Sequence, residues 1–179
     1  MEQYFIVCPL LFLAGLVDSI GGGGGLISLP AFLIAGVPPH MALATNKMSS
    51  TMGTVISTSR FIKSGYVDFR AAAPAAVASV TGAFLGAKLS LSVDEDIIRH
   101  LMIVILPVVA FYVIKNKNMG DNEKTGKITA RKKVILTIAI ALALGLYDGF
   151  YGPGTGTFLL LLLTGAARMD MRSASGVTK

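Results

Sequence analysis

The sequence predicts an all-α fold, a polytopic transmembrane helical bundle built from two homologous repeats that each contain a glycine-broken helix. Three observations predict it. Of the 179 residues, 53% are hydrophobic and only 15% are charged, with a mean hydropathy of +0.68, whereas soluble domains usually carry about 25% charged residues. Several apolar regions reach the roughly 20 residues that a membrane-spanning helix needs. Two further apolar regions are interrupted by glycines and resemble each other.

The charges and the few reactive side chains exclude several classes of function. The formal net charge is +6, but the basic residues crowd into 60–70 and 115–133, between apolar regions, as in cytoplasmic loops of membrane proteins. Nucleic-acid binding is therefore not expected. Cys8 is the only cysteine, which excludes a disulfide framework and a cysteine-based metal site. His40 and His100 are 60 residues apart, so interfacial histidines are favoured over a metal-ligand pair, which stays open.

No catalytic set, metal cluster or cofactor motif is present in the sequence, so neither an enzyme nor a bound cofactor is expected. The apolar N-terminal stretch 4–17 follows an acidic residue and no basic segment, which predicts a retained membrane helix and not a signal peptide. Three further regions can cross the bilayer as complete helices. They are 40–63, 69–91 and 97–115.

Two apolar regions do not fit ordinary membrane spans. Residues 4–36 and 133–167 are each too long for one straight helix and too short for two. Glycines interrupt both, at 21–25 (the first break) and at 151–156 (the second break). Each region therefore predicts a helix, an unwound stretch and a short half-helix. Non-helical backbone at membrane depth is tolerated only where it is buried in protein or lines a wet cavity.

An internal repeat connects the two breaks. Residues 15–24, Gly-Leu-Val-Asp-Ser-Ile followed by glycines, match residues 145–154, Gly-Leu-Tyr-Asp-Gly-Phe-Tyr-Gly-Pro-Gly, at a constant offset of 130. After a two-residue insertion, Asn46-Lys47 aligns with Thr178-Lys179. An aspartate inside an apolar run does not recur through composition alone, which indicates a duplication.

The repeat defines the predicted organisation of the chain. The first repeat covers 1–115, a basic cytoplasmic linker covers 116–132, and 133–179 forms the start of a second repeat that is expected to be truncated. Three complete spans separate the two motifs. If each broken region returns to its own side, the repeats are inverted, as is common in secondary transporters; if each crosses the membrane, they are parallel. The inverted arrangement is favoured.

The glycines of the breaks are candidate anion-binding groups. Consecutive glycines weaken the helix and expose backbone N–H groups at the start of the next helix, where the helix dipole favours negative charge. The alternative is close helix packing, but packing glycines recur at every fourth position and these are consecutive. The candidate binding residues in the breaks are Gly22, Gly23, Gly24, Gly25, Gly154, Thr155, Gly156 and Thr157.

Polar residues that follow the half-helices extend this candidate site. Asn46 offers an amide donor and Lys47 a positive charge, and Thr178 and Lys179 occupy the corresponding positions of the second repeat. The alternative for Lys47 is a side chain that snorkels to the membrane interface. The sequence leaves both interpretations open.

Asp18 and Asp148 each lie about one helical turn before a break. A carboxylate inside the membrane is costly, at roughly 3 kcal/mol on insertion scales, and normally has a partner in the bundle interior. One interpretation is coupling of transport to a proton or cation. The other, slightly favoured, is a structural cap on the N–H groups of the unwound stretch.

These motifs resemble those of the TauE/SafE permeases, the sulfite exporter family. The first half-motif runs from Asp18 through the glycines to Asn46-Lys47, and the second from Asp148 through Gly-Pro-Gly-Thr-Gly-Thr157 to Thr178-Lys179. The resemblance implies an inner-membrane, multi-pass transporter with two homologous halves, for sulfite, sulfonates or related sulfur-containing anions. Members usually continue for several more helices, so a truncated chain is expected.

The sequence therefore predicts a permease that binds a small sulfur oxyanion at two facing breaks near the bilayer midplane, with the anion and the lipid bilayer as its partners. Two alternatives come from other classes. The two membrane aspartates could form an intramembrane aspartyl protease, although each has its own copy of the same flanking motif. The chain could also be a membrane assembly subunit that transports nothing itself.

Overall fold

The computed structural model describes residues 2–21, 23–115 and 128–179. Within these ranges the chain is helical and contains no strand. Gly22 and most of the expected linker 116–132, namely 116–127, lie outside the described residues. The helices are α1 (Glu2–Gly21), α2 (Gly25–Ile34), α3 (Pro39–Lys63), α4 (Phe69–Leu91), α5 (Glu95–Lys115), α6 (Ala130–Phe150), α7 (Thr155–Gly165) and α8 (Met171–Thr178).

The all-helical prediction is confirmed, including both interruptions. The first break separates α1 from α2, and the second separates α6 from α7. The three predicted spans correspond to α3, α4 and α5 within two residues at each end. Helix α6 begins at Ala130, three residues earlier than predicted, because the basic residues at the end of the linker are good helix formers and join its first turn.

Helix α8 begins in a stretch, 168–172, that the sequence suggests to be a solvated turn. The Asp170 carboxylate accepts a hydrogen bond from the Ser173 N–H at 2.9 Å and caps the helix. This bond to the backbone lowers the pKa of Asp170. Arg168 provides the reversal from α7 with a left-handed φ of 50°.

Helices α4 and α6 have the length and apolar composition needed to cross a membrane. Only 17% of the most apolar window in each is buried inside the chain. The core helix of a water-soluble protein would bury its apolar side chains, whereas these point outwards, as membrane helices do towards lipid.

Glycines bring α4 and α6 into backbone contact. A Cβ at Gly145 would collide with the Ser79 backbone, and one at Gly149 with that of Ala83. On α4, Gly82 and Gly86 meet the α6 backbone in the same way. Contacts advance by four residues on both helices, so α4 and α6 run parallel. Small residues at this spacing are the usual means by which membrane helices approach closely.

Two apolar clusters hold the half-helices in place. The first joins α2, α3 and α5 to the second break, and its fully buried members include Leu29, Ile98, Met102 and Tyr151. The second fastens α7 and α8 onto α4. It consists of Ala71, Leu163, Ala167, Met169 and Ala174. The half-helix of each repeat is therefore packed against helices of the rest of the bundle.

Candidate functional site

The two breaks lie against each other. A Cβ placed on Gly25 would be 3.6 Å from the Pro153 Cα, and one placed on Gly23 would be 3.6 Å from the Thr157 Oγ1. These are ordinary van der Waals distances between residues about 130 positions apart in the sequence. The facing arrangement on which the predicted site depends is therefore present.

The backbone of both breaks requires glycine. Gly23 has a φ of 120°, Gly152 of 94° and Gly154 of 80°, values that side chains with a Cβ rarely adopt. Residues with a positive φ end one helix and change the direction of the chain before the next helix begins. The half-helices α2 and α7 begin directly after these turns, so their first N–H groups point towards the junction.

Asp18 caps the first break. Its Oδ1 accepts hydrogen bonds from the N–H groups of Gly23 and Gly24, both at 3.1 Å. The structure thus places this carboxylate in the capping role, and two of the glycine N–H groups that the sequence offers to an anion are occupied by it.

A tyrosine holds the second break through a hydrogen bond of the opposite sense. The Tyr147 hydroxyl donates to the Pro153 carbonyl at 2.8 Å, and its ring packs edge-on against Tyr151 and Phe158. Tyr151 is itself 1% exposed. The second break is therefore held at a carbonyl, whereas the first is held at its N–H groups.

Asp148 instead pairs with a lysine of the first repeat. Its Oδ1 lies 2.6 Å from the Lys47 Nζ, and the two side chains are 35% and 34% exposed. The Lys47 ammonium lies directly over Gly152, where any Cβ would collide with it. The ion pair therefore connects α3 to the second break.

A second lysine makes the reciprocal contact. Lys179, which aligns with Lys47 in the repeat, donates from Nζ to the main-chain carbonyl of Asp18 at 3.1 Å. Each lysine thus reaches the aspartate position of the other repeat. One contact uses the carboxylate and the other the carbonyl, because the Asp18 carboxylate is engaged by the glycines.

Asn46 is held in the same junction. Its Oδ1 accepts a hydrogen bond from the Ser28 hydroxyl at 2.5 Å, which fixes the amide so that Nδ2 faces Gly25, 3.3 Å from the position of a Cβ there. The amide hydrogens of Asn46 are consequently directed at the first break, where they can donate to an acceptor.

The hydroxyls of the candidate threonines are partly engaged. Thr155 donates to the Gly152 carbonyl at 2.7 Å and Thr178 to the Ala174 carbonyl at 2.8 Å, so both hydroxyls retain only their acceptor lone pairs. The Gly156 N–H in the first turn of α7 has no acceptor among the residues that the structure describes. Together with the helix dipole, this N–H favours an anion at the start of α7.

These groups line a cavity of about 710 Å³. Of the predicted site residues, those on its wall are Asp18, Gly23, Gly24, Gly25, Asn46, Lys47, Asp148, Gly154, Thr155, Gly156, Thr178 and Lys179. Thr157 contacts Gly23 beside the cavity. Gly22 lies outside the described residues.

Sequence reasoning missed Ser28 and most of a row of hydroxyls on the cavity wall. Ser28 lines the cavity beside Asn46, as Gly152 of the second break does beside Lys47, and the row of hydroxyls along α3 continues it. These hydroxyls belong to Ser50, Thr54, Ser57 and Thr58. Their spacing of three or four residues marks one helix face and could have revealed them. Nothing in the sequence shows that Ser28 reaches Asn46.

Comparison with known proteins agrees with this geometry. The family profile described as sulfite exporter TauE/SafE matches residues 7–179. The chain belongs to the TauE/SafE family. As a member of it, the chain is a membrane protein.

Relatives in the TauE/SafE family carry transporter names. The chain is 37% identical to a probable membrane transporter protein, ORF9, of Sinorhizobium, covering 94% of this chain and 63% of that protein. It is 32% identical to one of Haemophilus influenzae, covering 84% and 58%. It is 30% identical to YfcA of Escherichia coli, also named a probable membrane transporter protein, covering 99% and 68%. The chain thus spans about three fifths of the first two. No solved structure matches it.

Proposed function

We propose that this TauE/SafE chain forms the anion-binding junction of a multi-pass permease of the inner membrane, which moves sulfite, a sulfonate or a related sulfur oxyanion. The observation that supports it most is the contact between the two breaks, with Gly25 against Pro153 and Gly23 against Thr157. Two segments of non-helical backbone that meet at a cavity are the usual plan of a substrate site in secondary transporters.

The donors around the junction suit an oxyanion. Asn46 presents its amide hydrogens beside Gly25, and the N–H of Gly156 points from the first turn of α7. The ammonium groups of Lys47 and Lys179 line the same cavity. Sulfite and sulfonate groups carry three oxygens around one sulfur, which several converging donors recognise better than a single charge does.

The basic residues support a cytoplasmic position for the N-terminal ends of α4 and α6. Because these helices run parallel, Arg70 and the basic run 131–133 are at the same end of the molecule, and positive charge favours the cytoplasmic side. Helix α3 ends on that side, at Lys63. If α2 turns back from α1, then α1 points in the same direction as α3 and in the opposite direction to α6. This arrangement supports inverted repeats.

The intramembrane protease receives less support. An aspartyl protease needs two carboxylates that share a water molecule. Here Asp18 is engaged by Gly23 and Gly24, and Asp148 is paired with Lys47. No observation favours a non-transporting assembly role over the permease.

A flux assay tests the permease. The full natural protein carrying this chain is reconstituted into liposomes, and uptake of sulfite, methanesulfonate, thiosulfate and sulfate is measured. We expect movement of at least one sulfur oxyanion and its loss in Lys47→Gln. Lys88→Gln is the matched control, because Lys88 is exposed and lies over Phe84, away from the cavity. Absence of movement of all four anions, with the protein correctly folded, contradicts the proposal.

A further inference from the structure

The two membrane carboxylates differ in their partners. The Asp18 carboxylate accepts hydrogen bonds from the N–H groups of Gly23 and Gly24, which are backbone groups that an entering anion does not remove. The second break is held by the Tyr147 hydroxyl on the Pro153 carbonyl. The partner of Asp148 is the Lys47 ammonium, which an anion can bind in its place.

Among the residues that the structure describes, acidic and basic side chains balance on the cavity wall before an anion enters. These side chains are Lys47, Lys179, Asp18 and Asp148, two of each sign. An incoming anion adds an unbalanced negative charge at a site that the protein partly shields from water, where charges interact more strongly than in bulk water. An anion that binds the Lys47 ammonium also removes the counter-ion of Asp148. A partly shielded carboxylate that loses its counter-ion favours its protonated form.

From this arrangement we propose that Asp148 carries the proton that accompanies the transported anion. The anion replaces the Asp148 carboxylate at the Lys47 Nζ, and the released carboxylate takes one proton from a hydronium ion of the surrounding water. An O–H bond forms on Oδ1 or Oδ2 while one O–H bond of the hydronium ion breaks and leaves a water molecule. For a monovalent anion the loaded site has the same net charge as the empty one. This inference rests on the proposed permease function and specifies its coupling ion.

Other ionisable groups around Asp148 are not equivalent proton carriers. Tyr147 and Tyr151 beside it donate their hydroxyl hydrogens to the carbonyls of Pro153 and Met102. Across the cavity are the Asp18 cap and Lys179. Helix α4 contacts α6 through serine, alanine and glycine, and α7 has no ionisable side chain.

The proposal predicts electroneutral transport. A monovalent anion that crosses alone is driven by the membrane potential, at about 2.3 kcal/mol per 100 mV, whereas an anion that crosses with one proton does not respond to it. A pH gradient should then drive accumulation of the anion, and a membrane potential should not.

The test uses methanesulfonate and thiosulfate, which do not bind protons near neutral pH, because sulfite can carry its own proton. The full natural protein is reconstituted into liposomes with an internal pH dye, and a potassium gradient with valinomycin sets the voltage. With methanesulfonate we expect about one proton taken up per anion and an uptake rate that the voltage does not change. Thiosulfate carries two charges, so its uptake should also bring one proton but respond to the voltage.

Variants assign the proton to a residue. Asp148→Asn mimics the protonated acid, so anion uptake should persist without acidification and become voltage-dependent for methanesulfonate. Asp148→Glu should retain acidification, and Glu95→Gln, an exposed carboxylate at the start of α5, should behave as the wild type.

The outcomes separate the two proposals. Anion uptake by the wild type without acidification overturns the proton role and leaves the permease intact. Acidification that is lost in Asp18→Asn but kept in Asp148→Asn shows that the wrong carboxylate was assigned. If the wild type moves neither these two anions nor sulfite, the proposed function itself is overturned. Because the wild type alone decides the first outcome, the proton role is tested even where a variant fails to fold.

Discussion

Lys47 and Asp148 form an ion pair with 2.6 Å between Nζ and Oδ1, and they belong to different repeats. The reciprocal contact, from the Lys179 Nζ to the Asp18 carbonyl, uses the equivalent lysine and the equivalent aspartate. Both contacts cross the junction at which the breaks meet. Each half of the predicted repeat therefore supplies a lysine that contacts the aspartate position of the other half.

The Lys47–Asp148 pair should show energetic coupling. Lys47→Gln and Asp148→Asn should each lower the free energy of unfolding in detergent by about 1 kcal/mol, between the values for exposed and buried pairs, because each leaves a partly desolvated charge without a partner. The double variant should recover part of that loss. A double-mutant cycle based on denaturant unfolding measures the coupling.

The pair Asp96–Arg99 provides the control for this cycle. It spans 4.0 Å on the surface of α5, with side chains 85% and 54% exposed, and pairs of this kind contribute little. We expect no measurable coupling between Asp96→Asn and Arg99→Gln. Equal coupling in the two cycles would show that the junction does not desolvate Lys47 and Asp148.

Asp18 should act through hydrogen bonding and not through its charge. Asp18→Asn keeps an oxygen that can accept from Gly23 and Gly24 and should destabilise the protein only slightly. Asp18→Ala removes the acceptor and should cost about 1–2 kcal/mol, as loss of a helix cap does. Thermal unfolding of the two variants distinguishes these expectations. Equal damage by Asn and Ala would mean that the negative charge is what the first break requires.

The helices and the breaks could be predicted from the sequence because they depend on local composition. Apolar runs of sufficient length define α3 to α5, and the consecutive glycines that precede Leu26 end α1. The exchange of partners between repeats could not be predicted. Asp18 and Asp148 have similar neighbours in the sequence, and Tyr147 has Val17 as its counterpart at the offset of 130. Only a three-dimensional arrangement shows that this tyrosine holds a carbonyl of the second break, whereas a carboxylate holds N–H groups of the first.

The packing of α4 against α6 could not be predicted from the sequence either. Gly145 and Gly149 have the spacing of four that indicates helix packing, but Gly145 belongs to the repeat motif, and its counterpart Gly15 has open space around it within the described chain. The same motif position therefore serves helix packing in one repeat only. Such a difference depends on which helix is nearby.

Backbone contact between α4 and α6 should make their glycines intolerant of any side chain. Gly149→Ala would push a methyl group into the Ala83 carbonyl, and a methyl added to a filled space usually costs about 1–3 kcal/mol. Gly53→Ala is the control, because nothing lies within 4 Å of that position in α3; alanine there should stabilise the helix by up to about 1 kcal/mol. Thermal unfolding in detergent compares the two. Similar melting temperatures would contradict the close approach of α4 and α6.

The Tyr147 hydroxyl should stabilise the second break. Tyr147→Phe keeps the ring contacts with Tyr151 and Phe158 but leaves the Pro153 carbonyl without its donor. We expect a loss of about 0.5–1.5 kcal/mol in the free energy of unfolding. Tyr66→Phe is the control, since the Tyr66 ring lies under Arg172 and the contact needs no hydroxyl. Hydrogen exchange at 152–156 should increase in Tyr147→Phe alone, and an unchanged rate there would contradict the role of the hydroxyl.

Gly152 should be required for two separable reasons. Its φ of 94° disfavours any residue with a Cβ, at a cost of about 1–2 kcal/mol, and a Cβ would also displace the Lys47 ammonium from beside Asp148. Gly36 shares only the first property, with a φ of 78° and nothing within 4 Å. Gly152→Ala should therefore reduce the free energy of unfolding by more than Gly36→Ala, and the excess measures the contacts of the added Cβ with Lys47 and with the Asp148 carbonyl.

A shortened lysine side chain tests the origin of that excess. In a Lys47→Ala background no ammonium lies over Gly152, so the excess cost of Gly152→Ala over Gly36→Ala should shrink to the part imposed by the Asp148 carbonyl, 3.0 Å from the added Cβ. Anion uptake should follow the same order: strongly reduced by Gly152→Ala in the wild type and unaffected by Gly36→Ala, which lies between α2 and α3 and is not on the cavity wall. If the excess is unchanged without the lysine, Gly152 is constrained by the backbone of the second break, and its contact with the Lys47 ammonium has no energetic role.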